Sequence, residues 1–373
     1  VRQLFGSSRP RSAGLRRSAG MRRSAGVRRS AGLGRSAGLG RSAGLGSSAG
    51  LRREVAVLVA VVVVVVVLVL VGLGAGSIPL TPGQVLASLF GQGDRISDFV
   101  IGQLRGPRVL GAVLVGASLG VAGAIVQSVV RNPIASPDVI GITSGASAAG
   151  LTAIVLFGAS GGTLFSVVLV GAVVVSLVIA GLAWRRGITG NRVVLVGIGV
   201  AAICLSITGW MLTSGTVTQA GAALLWLSGS LNAVDRDLVG VLGVAFVVLG
   251  VLALLQSARL QVLSLGDEVA AALGLRPDRA KVLLLLTAVC LTAAAVATAG
   301  PVSFVALMAA PIARRLVGGG RVALAPAAAV GAAITLGSDL LAQFAIPGNA
   351  LPVGVVTGVV GAPYLLWLLA RGR

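Results

Sequence analysis

From Val55 to Leu73 the chain carries no charged residue and reads almost entirely as valine and leucine. A helical run of that length crosses a hydrocarbon core about 30 Å thick. In lipid the backbone must satisfy its own hydrogen bonds, which leaves helices and closed barrels. The strict alternation of a barrel strand is missing here and in the runs that follow. The fold class is therefore all-α, a polytopic membrane helix bundle. Further apolar runs lie at Val109–Val130, Ile140–Phe157, Leu164–Trp184, Val193–Leu212, Leu238–Leu255, Val282–Ala299, Pro301–Leu316, Val322–Phe344 and Pro352–Leu369. Together they predict about ten transmembrane helices. Little more than Gly300 and Pro301 separates two of them, so that pair is a tight hairpin or one span with a partial re-entry, which makes nine. With 56% hydrophobic and 11% charged residues in 373, the chain has too little polar surface for a soluble domain of its size.

The net charge of +20 is concentrated at one end. Residues 1–53 hold 13 of the 30 basic residues and no acid, leaving +7 (17 minus 10) for the remainder. A six-residue unit recurs there, as in "RRSAGM", "RRSAGV" and "GRSAGL". With one aliphatic residue per unit such a segment cannot bury a core, so 1–53 is expected to be a disordered tail and 54–373 the transmembrane domain. An expanded tandem repeat, or upstream sequence read through from a misplaced start, is favoured over a tether to anionic headgroups. The apolar run that follows is too long for the core of a cleavable signal.

Cytoplasmic loops gather arginine and lysine, which gives the spans a direction. With the N-terminus in the cytoplasm, inner loops receive thirteen basic residues beyond the tail and outer loops four: Arg95, Arg105, Arg108 and Arg236. Both termini are then cytoplasmic.

Several chemistries have no residues to carry them. The chain has no histidine, and Cys204 and Cys290 lie within apolar runs without a CxxC, so a disulfide framework, a metal site and catalytic residues are not expected. No ionisable residue sits at the middle of an assigned span; Asp339 is the deepest acid, towards the outer end of the ninth. A proton-driven carrier is thereby disfavoured, while sodium sites built from carbonyls stay open. The single lysine, Lys281, belongs to no phosphate-binding loop. If ATP drives this chain, another subunit binds it.

Two polar segments interrupt the apolar pattern. In "LSLGDEVAAALGLRPDRAK", residues 263–281, Asp267 and Glu268 suit the N-terminus of a short helix, and Val269, Ala272 and Leu273 share a face. Gly274 ends it and Pro277 prevents continuation. Such a cytoplasmic knob, within a segment at 258–281, is either an ordinary surface helix or a docking element. In "VVRNPIASPDVIGITSGASAAG", residues 129–150, Pro133 and Pro137 end one helix and aim the next. Arg131 and Asn132 anchor the turn, and the small residues after Gly141 allow close helix packing.

The stretch "RGPRVLGAVLVGASLGVAGAIVQSVVRNPIASPDVIGITSGASAAG" resembles the second span and following loop of the FecCD family, the membrane permeases of type II ABC importers. "LSLGDEVAAALGL", "GPVSFVALMAAPIARRLVGG", "LPVGVVTGVVGAPYLLWLL" and "LWLSGSL" resemble further stretches of it, in order, from Val55 to the C-terminus. The resemblance implies a permease in the cell membrane for ferric siderophores, with cobalamin or haem as alternative cargoes; a stand-alone secondary carrier is the reading from another class. It implies two ABC ATPase subunits inside, which use the ATP and Mg, an extracytoplasmic substrate-binding protein, and a second permease copy as homo- or heterodimer. It implies no cofactor on this chain, no nucleic acid partner and no covalent chemistry. By the same resemblance Gly266 to Gly274 is the ATPase-coupling knob, Arg105 and Arg108 meet carboxylates of the binding protein, and the inner gate lies near Gly190 and Asn191. The chain departs from the family at Ala310 and Pro311, where Pro-His is frequent, and at Gln343, where an arginine is common.

Overall fold

The computed structural model describes residues 42–184, 190–318, 322–346 and 350–371. The helix bundle belongs to the second of two compact units, Gly46–Arg373. The first, Val1–Leu45, holds most of the repeats, and residues 1–41, with the expectation of disorder there, lie outside the described residues.

Each apolar run forms a helix. The first helix, α1 (Ser42–Gly74), begins before Val55 and takes in the end of the repeat tail. The others in this set are α4 (Gly106–Val130), α5 (Ile142–Phe157), α6 (Gly161–Ala183), α7 (Gly190–Ser214) and α9 (Arg236–Leu255). They continue with α12 (Pro277–Ala299), α13 (Val305–Val317), α14 (Leu324–Phe344) and α15 (Val353–Arg371). Among the described residues there is no strand, and eight helices are long and apolar enough to cross a membrane.

The two short members of the set are α5, with 16 residues, and α13, with 13. At 1.5 Å per residue they reach about 24 and 20 Å, less than the core of a bilayer. Their N-termini converge on one carboxylate: Asp138 accepts the Thr143 hydroxyl at 2.5 Å and the backbone N–H of Phe304. Burial pushes the Asp138 carboxyl above the ordinary carboxylate range, and these two bonds offset part of that rise. The stretch around Gly300, weighed as a tight hairpin or a partial re-entry, is a full-length α12 followed by the short α13.

Four further helices lie between the apolar runs: α2 (Pro82–Leu89), α3 (Arg95–Phe99), which continues as a π-helical turn at Val100–Arg105, α8 (Val217–Leu227) and α10 (Ser257–Ser264). A short α11 (Asp267–Ala272) follows α10. Helices α2 and α8 both open on a capping box, Thr81 with Gln84 and Thr216 with Gln219, in which hydroxyl and amide reciprocally satisfy free backbone groups.

Helix α4 runs through the middle of the bundle, packed by α12, α13 and α14. The approach is close because Gly116 and Gly331 face each other, and a Cβ on either would overlap the other's carbonyl oxygen. Backbone contact of this kind is how membrane helices gain dispersion energy without help from water. At the edge of the bundle α1 instead exposes Val59, Val63 and Val67, an apolar face suited to lipid.

Candidate functional site

Contacts between distant residues define two ends of the bundle. One end gathers Arg53, Arg131, α11, Lys281 and Arg314; the other gathers α2, α3, Arg105, Arg108, Arg236 and Asp339.

At the first end α11 is a knob built on one buried residue. Ala270 is fully buried against α10 and α12, in a cluster with Leu260, Leu263, Ala280 and Leu284. On its outer side Val269 (45%) and Leu273 (64%) are exposed one turn apart, and Leu265 (65%) is exposed just before the Gly266 link. Ala272 and Glu268 are exposed beside them. The short helix predicted after Gly266 is present, and Gly274 turns the chain back at φ +82 as its stop. Pro277 does not merely block α11: it occupies the first turn of α12, where its missing N–H costs nothing.

The segment 129–150 meets this knob. Helix α4 ends at Arg131, whose φ of +56 is left-handed, and the Asn132 side-chain oxygen accepts the N–H of Ile134 at 3.1 Å. Pro133 and Pro137 carry the chain from there towards α5. One turn earlier, Gln127 donates to Leu307 O at 3.1 Å and accepts from Arg314 at 2.5 Å, tying α4 to α13. Arg131 reaches the other way and pairs with Asp267 Oδ1, while Lys281 Nζ bonds Asp267 Oδ2 at 2.6 Å. Read from the sequence, Arg131 anchors a turn and Lys281 has no assigned role. Their shared partner lies 136 and 14 residues away, and no local pattern announces it.

Gly190 and Asn191 open α7 beside the same turn. A Cβ on Gly190 would stand 2.8 Å from Val130 O, so α7 starts against the end of α4, and Asn191 is exposed. Nearby, a cavity of about 530 Å³ is lined by Asn132, Pro133, Arg314, Arg315 and Leu368, with Arg315 stacked 4.6 Å over the Trp367 ring.

At the second end the two arginines read as docking charges turn into the bundle. Arg105 donates to Leu73 O (2.9 Å) and Gly74 O (3.2 Å) at the end of α1 and to Ile78 O (2.6 Å) in the loop after it, helping to satisfy carbonyls that a helix end leaves without intrahelical partners. Arg108 grips Asp339 with both arms of its fork, Nε to Oδ2 at 2.9 Å and Nη2 to Oδ1 at 2.8 Å. Its remaining Nη1 donates to Asn232 at 2.5 Å, and Gln343 donates to Asp339 at 2.8 Å. The departure at Gln343 is therefore filled by a side chain that supports this pair. Both guanidiniums are spent within the chain, and this geometry favours a structural role over charges held out to a partner. Arg105→Met should lower unfolding stability by about 2 kcal/mol, the worth of a charged donor serving several carbonyls. Detergent-phase thermal unfolding checks it, and Arg105→Lys should recover little, because an ammonium cannot span three acceptors.

Among the described residues no three His, Cys, Asp or Glu side chains come together as a metal site would need. Membrane-length helices joined by polar clamps, with an exposed knob at one end, make a polytopic membrane helix bundle. The chain belongs to the FecCD transport family, whose model matches residues 61–371. It is 42% identical over 299 residues to the ferric enterobactin transport system permease protein FepG of Escherichia coli (strain K12), covering 80% of this chain and 91% of that one. It is 37% identical over 302 residues to the Fe(3+)-citrate import system permease protein YfmE of Bacillus subtilis (strain 168), covering 80% and 89%. A solved structure described as an inward-facing conformation of a metal-chelate type ABC transporter superposes with a TM-score of 0.74 at 26% identity, over 85% of this chain and 99% of that one. The chain is a multi-pass protein of the cell membrane.

Proposed function

We propose that this chain is the translocation subunit of an ATP-binding-cassette importer for ferric siderophores. The observation that carries the reading is the α11 knob: exposed Val269 and Leu273 one turn apart on a helix fixed to the bundle by Ala270, with exposed Leu265 just before it. An exposed apolar stripe beside charged residues is what a docked partner covers. Placing the α11 end in the cytoplasm, as the basic loops favour, puts that stripe where ATPase subunits stand. Those subunits bind ATP and Mg; this chain supplies alternating access and makes or breaks no covalent bond. The start of α7 at Gly190 and Asn191, against the end of α4, is the proposed inner gate. The α2–α3 end receives the substrate-binding protein, with Arg105 and Arg108 holding that face in shape. A second permease copy, identical or related, completes the path.

A secondary carrier is the less favoured reading, because the deepest acid, Asp339, is already bonded by Arg108 and Gln343. Iron chelates are favoured over cobalamin because the relatives above are named for ferric enterobactin and Fe(3+)-citrate. The test is purification of the tagged chain from membranes with its neighbours identified, then reconstitution in liposomes. The expected result is a bound ATPase and uptake of radiolabelled ferric siderophore that needs ATP and binding protein. Uptake driven by a proton or sodium gradient without an ATPase would sink the proposal.

A further inference from the structure

We infer that Arg131, Asp267 and Lys281 form a strut that carries movement of the α11 knob into α4 and α12. The inference rests on the proposed role of α11 as the element that ATPase subunits displace. Three observations lead to it. The backbone links on both sides of α11 pass through glycines, Gly266 at φ +122 and Gly274 at φ +82, where rotation meets little steric resistance. Beside the Ala270 packing, side chains that span these links would carry force applied to the knob past them.

The Asp267 carboxylate is such a bypass. Each oxygen serves a different helix: Oδ1 takes the Arg131 guanidinium at the end of α4, and Oδ2 takes the Lys281 ammonium in the second turn of α12. Asp267 is half-exposed, whereas the Lys281 side chain is only 5% exposed, rare for a lysine. An ordinary pair between two solvated side chains yields readily when its partners separate. A pair with one cation enclosed by the bundle resists, since the enclosed ammonium is held in place and cannot follow Asp267 out towards water.

The third observation is where the forces would arrive. Helices α4 and α12 pack directly on each other, and α4 is the helix that α13 and α14 also clasp. At its far end α4 holds Arg108 on Asp339 of α14. The central helix thus has an ion pair at each end, one to the knob and one to α14. A displacement of α11 would move α4 and α12 as a body and reach the opposite face. Arg131, Asp267 and Lys281 are positioning residues, not substrate contacts.

The test uses the whole complex in liposomes, with ATPase subunits and binding protein, and reads substrate moved per ATP hydrolysed. In Arg131→Gln/Lys281→Gln, ATPase co-purification and basal hydrolysis should stay within about twofold of the parent chain while the transport-to-ATP ratio falls tenfold or more. Lys281→Arg, which keeps a cation there, should retain at least half the ratio. Adding Asp267→Asn to the double variant should cost little more, because the three act as one unit. An unchanged ratio in the double variant overturns the strut, and so does a fully additive effect of Asp267→Asn. If the double variant fails to reach the membrane, Arg131→Gln alone, at an exposed site, should still lower the ratio at least threefold. Loss of insertion there, or no change in ratio, makes the triad a static brace and overturns the inference. A parent chain that binds no ATPase would refute the importer reading itself, a result distinguishable from all of these.

Discussion

Asp339→Ala should be the most damaging single substitution at the α2–α3 end, lowering stability by about 3 kcal/mol. Breaking one side of a buried ion pair costs about 3–5 kcal/mol, because the remaining charge stays desolvated without its counterpart. The Asp339 side chain is 1% exposed and Arg108 18%, so the stranded guanidinium keeps some access to water and the lower figure applies. Asn232 can hold one arm of it but offers no charge. The double variant Arg108→Met/Asp339→Leu should recover most of the loss, since two apolar side chains leave nothing unpaired. Unfolding of purified protein in mixed micelles reads both values. A loss below about 1 kcal/mol for Asp339→Ala would mean that water reaches the pair and that it is an ordinary surface contact.

This pair also marks where reading the sequence stops. The apolar runs foretold every long helix, because lipid forces each run to close its hydrogen bonds within itself and run length then fixes helix length. The end of α11 at Gly274 was legible because a glycine after an amphipathic stretch has a specific backbone use. Helices α2 and α8 were not anticipated, although T-x-x-Q at Thr81 and Thr216 is a local signal for a helix start. The partners of the arginines were not legible. Arg105 and Arg108 stand three residues apart before a span and read equally well as docking charges. Their acceptors lie at Leu73, Ile78 and Asp339, up to 231 residues away. Whether a charge at a helix end faces a partner or its own bundle depends on tertiary contact, which periodicity and spacing do not encode. The carboxylate shared by Arg131 and Lys281 is hidden for the same reason. The short α5 and α13 were only half legible: their runs were visible, but the meeting of their N-termini at Asp138 comes from the fold.

The remaining prediction concerns the backbone that carries the knob. Gly266→Val should reduce uptake tenfold or more with the protein still inserted. At φ +122 and ψ 152 Gly266 occupies a region that residues with a Cβ essentially avoid, at about 1–3 kcal/mol, and β-branching puts valine near the upper figure. Space is not the obstacle, because the nearest atom to a Cβ there is Arg131 Nη1 at 3.9 Å. The strain is relieved by turning the backbone, and the residue that turns first is Asp267. Its carboxylate then leaves Arg131 and Lys281 together, and the Val269 and Leu273 stripe is re-aimed away from its partner. Gly274, at φ +82 with open space around it, closes the other side of the knob behind the bonded residue. Gly274→Ala should therefore weaken uptake only about fivefold, the factor that corresponds to ~1 kcal/mol, the lower end of the cost of a left-handed residue. Uptake by the two variants at equal membrane level, with the amount of co-purified ATPase, checks the order. Equal effects would place the importance of α11 in its length, and an active Gly266→Val would show that the knob tolerates re-aiming and does not fix the direction of force.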